Sequence, residues 1–181
     1  MARIPYPDPA TLEPDVVERL SRTQLNAIRM MAHAPKLMAA YAALGRALLR
    51  DGALEATLRE LVILRIGALC ESDYEWYQHR SYGRAVGLTD QKIDAMKSGD
   101  FSVLTEREKV AVAYAGDIKK QGRVTDAVFD RARAEFTPGE LIELNILSGF
   151  YILTAAHLLT LDIEQEDAPA LARTMEAISA M

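Results

Sequence analysis

The chain has 181 residues, 50% of them hydrophobic and 26% charged, the balance of a soluble globular domain. Its 21 Lys plus Arg are outnumbered by 26 Asp plus Glu, a formal charge of -5 that speaks against nucleic acid or an anionic membrane as partner. One cysteine, Cys70, excludes an internal disulfide, a dithiol redox pair, a thiolate zinc site and an iron-sulfur cluster, which all need more thiols, and makes the cytoplasm the expected compartment.

Residues 1–14, MARIPYPDPATLEP, hold four prolines and no apolar run. They predict an extended arm with no leader peptide, ahead of one domain over 15–181. From Asp15 onward apolar residues recur at three and four, and alternation at two is missing, so the chain reads as all-α. A first helix spans roughly 15–32, with Val16, Leu20, Ile28 and Met31 on its apolar face. A second opens at Pro35 and stops at Asp51-Gly52. The third, about Leu54 to Leu69, is apolar on most sides, the pattern of a helix surrounded by others.

After Cys70, Ser72-x-x-Glu75 forms a capping-box pattern for a helix ending at Gly87, so a tight corner joins it to the third helix. Thr89, Thr105 and Thr125 each open a further helix, and Pro138 opens a long apolar one to about Leu161. That last stretch nearly has membrane-spanning length. It carries Asn145, Ser148, Thr154, His157 and Thr160, and is read as a buried helix of a single bundle. The tail after Asp162 has the pattern of a final amphipathic helix. Arg59 to Leu64 echoes Gly139 to Leu144, each followed by a histidine, His79 or His157, which raises the prospect of two related helical halves.

Three polar residues stand in apolar surroundings: Glu60 on the third helix, and Glu75 and His79 on the fourth. Glu75 and His79 are four apart and share a face, which Tyr82 extends by a turn. If the corner folds the fourth helix back on the third, Glu60 faces His79 and two carboxylates flank one imidazole. That is acid-base equipment, because a neighbouring carboxylate fixes the imidazole tautomer and raises its pKa. Structural alternatives stand beside this reading: Glu75 as the capping glutamate, Glu60 paired with Arg59 or Arg65, and a histidine that only packs. No glycine-rich phosphate loop, no His-Glu-x-x-His and no nucleophile elbow is present, and the three histidines lack metal-ligand spacing.

Arg59 to Arg65 as RELVILR, Cys70 to His79 as CESDYEWYQH, and Arg84 to Leu88 as RAVGL resemble the carboxymuconolactone decarboxylase and alkylhydroperoxidase D-like family. The likeness extends to the arm and to Ala32-His33-Ala34-Pro35. It implies an all-helical fold of the alkylhydroperoxidase D-like type, assembled as homotrimers or hexamers. The surplus of apolar residues, among them Met30, Met31, Met38 and the Leu144 to Leu161 stretch, points the same way.

The peroxidase branch of that family separates a glutamate from Cys-x-x-Cys by eleven intervening residues, and the second cysteine from a histidine by three. Here Glu60 and His79 hold the outer places, but Ser72 and Glu75 hold the thiol places. A serine and a carboxylate cannot cycle through a disulfide, so thiol-dependent antioxidant activity is disfavoured. The decarboxylase branch implies a lyase, or a related isomerase or hydrolase, acting on a small organic acid or lactone with no cofactor and no metal. His79, Glu75 and Glu60 would then be catalytic, Tyr82 and Trp76 would line the substrate, and Arg65, Arg80, Arg84 or an arginine of another subunit would hold a carboxylate. A non-catalytic oligomer that binds a small ligand is the further alternative.

Overall fold

A computed structural model describes residues 1–21, 23 and 25–166. All regular structure among them is helical: α1 (Pro14–Ser21), α2 (Asn26–Met31), α3 (Pro35–Arg46), α4 (Ala56–Leu69), α5 (Asp73–Ala85), α6 (Asp90–Ser98), α7 (Glu106–Gln121), α8 (Asp126–Glu135) and α9 (Pro138–Thr160). The amphipathic tail expected near the C-terminus lies largely outside the described residues. The described residues form two compact units, one within Met1–Gly45 together with 157–166, the other of Arg46–Ala156.

In the first unit the expected single helix over 15–32 is two, α1 and α2. At the break the Thr23 hydroxyl accepts the Leu25 N–H, a local bond that competes with helix continuation. Val16, Met31, Ala32 and Met38 form its core, with Leu20, Ile28 and Tyr41 packed against them. The N-terminal arm is tied down rather than free. Arg3 donates its N–H to the Leu161 carbonyl at 2.9 Å, and Glu164 accepts from the Ala2 N–H at 2.8 Å and the Tyr6 hydroxyl at 3.0 Å.

In the second unit α4 is central and packs against α5, α6 and α7. Leu61, Val62, Ile63, Leu64 and Ile66 are wholly buried, as a helix apolar all round requires. At about 1.5–3 kcal/mol for each fully buried side chain of this size, α4 is the main apolar anchor of the unit. Its entry is held by Glu143, whose carboxylate accepts the N–H groups of Ala53 and Leu54 at 2.8 and 3.0 Å. Gly52 makes room for this clamp, since a Cβ there would lie 2.6 Å from Glu143 Oε2.

The end of α4 sets the corner. Glu71 adopts a left-handed φ of 56°, and the Ser72 N–H returns to the Gly67 carbonyl at 2.9 Å, the reversal that ends many helices. Gly67 then allows α5 to come close: a Cβ on it would meet Glu75 Cβ at 3.2 Å. Thr89, Thr105 and Thr125 occupy the N-cap positions of α6, α7 and α8.

α9 departs from the expectation of a buried helix. Leu144, Leu147, Ser148, Tyr151, Ala155 and Leu158 are buried, but Ile142 and Leu153 are 66% and 55% exposed and lie on one open face with Ile146. Among the described helices α9 is the one long and apolar enough to cross a membrane. The echo of α4 in α9 does not repeat the corner. α9 runs on without a break, and Glu140, in the place of Glu60, pairs with Arg107 and accepts the Thr137 N–H at 2.8 Å.

Candidate active site

The corner folds α5 along α4 and brings Glu60, Glu75 and His79 together at 7%, 4% and 6% exposure. His79 donates its Nδ1–H to Glu60 Oε2 at 2.7 Å, and its Nε2 lies 3.3 Å from Glu75 Oε2. One imidazole therefore bridges two carboxyl groups, with both ring nitrogens occupied. No group of His, Cys, Asp or Glu among the described residues is arranged to hold a metal ion.

The spacing of Ser72 and Glu75 suggested a capping box, and only half of one forms. The Ser72 hydroxyl accepts the Glu75 N–H at 3.5 Å, but the Ser72 N–H is already spent on the Gly67 carbonyl. The Glu75 carboxyl, released from capping, faces His79 instead.

Burial governs the protonation of this group. It pushes Glu75 up to about 7, a rise opposed by the positive charge of His79 and reinforced by the negative charge of Glu60. His79 feels the opposite pull from burial, which disfavours its charged form; the Glu60 charge, the Glu60 hydrogen bond and the Glu75 charge outweigh it and hold the imidazole above its ordinary value. A carboxyl group raised toward neutrality beside an imidazole whose own pKa is raised is placed to give and take a proton.

Two aromatic rings flank the imidazole. Tyr82 lies at 5.3 Å between centroids, tilted by 59°, and Tyr151 of α9 meets it edge-on at 5.1 Å and 89°. Sequence reasoning named Tyr82 and missed Tyr151, which local spacing could not connect to α5. Trp76 is placed elsewhere. It packs with Leu61, Leu64, Ile93 and Met96 in the core, with Lys97 Nζ 4.4 Å from its ring centroid.

The arginines sort by partner. Arg59 donates to the carbonyls of Leu49 and Leu54, Arg84 pairs with Asp90, and Arg65 donates to the Met96 carbonyl at 2.8 Å. Arg80 keeps a buried Nε with no hydrogen bond among the described residues. A cavity of about 570 Å³ is lined by Gly67, Ser72, Arg65 and Lys97. Glu60, Glu75 and His79 do not line it, but two of its wall residues, Gly67 and Ser72, touch Glu75 from behind. Cys70 is half-buried; burial pushes its thiol up, against the pull of the nearby Lys119 ammonium.

Residues 35–117 match the model of the carboxymuconolactone decarboxylase family. Among curated proteins none matches. Several solved structures share the fold, among them the following three. An uncharacterized peroxidase-related protein from Ralstonia eutropha, described as an alkylhydroperoxidase core, is 22% identical with a TM-score of 0.82, covering 92% of this chain and 93% of its own. An uncharacterized peroxidase-related protein from Silicibacter is 15% identical at 0.81, covering 95% and 94%. A cysteine-to-alanine variant of the debrominase Bmp8, in complex with 2,3,4-tribromopyrrole, is 16% identical at 0.74, covering 98% and 100%.

Proposed function

This chain belongs to the carboxymuconolactone decarboxylase family through residues 35–117, and from that premise we propose an acid-base enzyme that needs no cofactor: a decarboxylase-like lyase, or a related isomerase or hydrolase, acting on a small organic acid or lactone. The observation that carries this reading is the imidazole of His79 held between two buried carboxyl groups, one of them poised near neutrality. Such a set moves protons and leaves electrons alone.

In the decarboxylation we envisage, the bond between the substrate carbon and its carboxylate breaks and carbon dioxide leaves. The electron pair left on carbon spreads into the unsaturated lactone, and a proton from the pair of His79 and Glu75 is delivered to that carbon. Solvent then restores the proton. Glu60 orients the imidazole and stabilises its charged form, Tyr82 and Tyr151 shape the space around it, and Arg80 or an arginine of a second copy holds the carboxylate.

A carboxylactone isotopically labelled at its carboxyl group tests this reading directly. The protein is expected to release labelled carbon dioxide and, in heavy water, to place one solvent deuteron on the substrate carbon. No release, together with dithiol-dependent consumption of peroxide that vanishes in Cys70→Ser, would transfer the assignment to a thiol peroxidase. That second reading draws on the likeness to peroxidase-related structures. Ser72 and Glu75 in the thiol places and the raised thiol of Cys70 oppose it.

We also propose that the chain works in the cytoplasm as a homotrimer or hexamer, with the open face of α9 covered by another copy. Ile142, Ile146 and Leu153 form a continuous apolar stripe there. Sedimentation of Leu153→Glu is expected to show smaller species than the parent protein; a parent that sediments as a monomer at micromolar concentration would refute the assembly.

A further inference from the structure

Arg65 is a half-buried cation that no carboxylate among the described residues neutralises. Burial pulls its pKa down, and no acidic neighbour offsets that effect. The guanidinium has one backbone acceptor, the Met96 carbonyl, and lies 5.1 Å from the centroid of the Phe101 ring. It stands five residues after Glu60 on α4, about 140° round the helix at 3.6 residues per turn, and so it faces away from the acid-imidazole-acid group.

On that far face is a second cavity of about 460 Å³, between α4, α7 and the turn that carries Phe101. Arg65, Lys119 and Lys120 line it against a single acid, Asp117. The Asp117 carboxylate already accepts the N–H and hydroxyl of Thr125 at 2.9 and 2.7 Å. The cavity is therefore a cationic spot on a protein of net charge -5. Its remaining wall is apolar, with Leu69, Phe101, Val112 and Ala113. The cavity beside Ser72 differs, because two acids, Glu71 and Asp73, share its wall with Arg65 and Lys97.

Gly116 supplies a separate observation. It lies within α7, where glycine is a weaker helix former than alanine. No neighbour demands it, since a Cβ at this position would meet nothing within 4 Å. Gly116 is one of the residues that line the cavity.

From this juxtaposition we infer that the pocket between α4 and α7 binds an organic carboxylate with a flat apolar body, its charge against Arg65, Lys119 and Lys120 and its body against Phe101 and the α7 face at Gly116. The site is separate from the one proposed for catalysis. A guanidinium over an aromatic ring offers a planar donor edge to a carboxylate, and a ligand slipped beside it exchanges water for apolar wall on both faces.

The experiment is calorimetric titration of the full-length protein with 1-naphthoate, alongside its neutral counterpart 1-naphthalenemethanol and inorganic phosphate. Naphthoate is expected to bind about tenfold or more tightly than either control, since only it combines a charge-assisted contact with an apolar body. Arg65→Met and the pair Lys119→Gln with Lys120→Gln should each weaken it about tenfold. Gly116→Leu should abolish binding without lowering the melting temperature, and Gly116→Ala, which suits a helix better, serves as the second filling variant should leucine perturb the fold. Binding should persist in His79→Gln, so its fate is independent of the catalytic reading. No naphthoate binding, equal binding of the neutral compound or of phosphate, or binding that survives both Gly116 substitutions would overturn the inference.

Discussion

His79→Ala is expected to lower turnover by about 10²–10⁴-fold and to destabilise the protein by roughly 3–5 kcal/mol. The first effect follows from removing the group that, in the proposed reaction, passes a proton to the substrate. The second follows from what remains: two buried carboxyl groups that the imidazole had held apart at 2.7 and 3.3 Å. With no cation between them they cannot both stay ionised in a medium of low dielectric. At least one must take up a proton, so the variant should regain much of its stability at pH 5 relative to pH 8. Urea unfolding at the two pH values checks this. A variant as stable as the parent at pH 8 would mean that the three side chains are not an electrostatic unit.

Glu75→Gln should separate the cost of the carboxylate from its use. A folded-state pKa near 7 lies well above the ordinary glutamate value, so the native protein holds this proton more tightly than the unfolded chain does. The stability that proton gives is fully present below the unfolded value, about 4.3, and is lost as pH rises through 7. His79 has the same sign, because its native pKa is also raised: its contribution is complete below about 6.5 and fades as pH climbs through the folded value. The parent protein should therefore lose stability from mildly acidic to mildly alkaline solution. Glutamine removes the Glu75 share of that slope, and at pH 8 it should stabilise the fold by as much as about 3 kcal/mol. Turnover should nevertheless fall at least about tenfold, since the amide can accept a hydrogen bond from Nε2 but cannot deliver a proton. Thermal melts across pH and single-turnover measurements read the two effects independently. A variant that keeps its activity would reduce Glu75 to packing.

Much of the fold was legible because helix starts are written in short-range chemistry. Ser72, Thr89, Thr105 and Thr125 at N-cap positions and Pro138 at a first helical position mark five starts that the coordinates share. The break between α1 and α2 was hidden because Leu20 and Ile28 keep helical spacing across it, while the interruption rests on the Thr23 hydroxyl bond. α9 was misjudged for a related reason: a helix apolar on every side looks the same in sequence whether all its faces are packed or only one. In the site, four-residue spacing places Glu75 and His79 together, and the corner at Glu71 returns α5 to Glu60. Trp76 is one residue from Glu75 along the chain but about 100° away round the helix, which directs it to the core. The diversion of Glu75 from capping depends on a backbone bond, Ser72 to Gly67, that no residue type announces.

Tyr151 separates two jobs that a single motif would otherwise carry. The proton-handling trio lies wholly on the α4–α5 corner, whereas one of the two rings against His79 arrives from a helix that starts after the family match has ended. Substitutions along α9 can thus reshape what fits beside the imidazole while leaving its acid-base poise intact. In the proposed enzyme, exchange of that one helix between relatives would change half of the aromatic wall at His79 and keep the other half, Tyr82, in place.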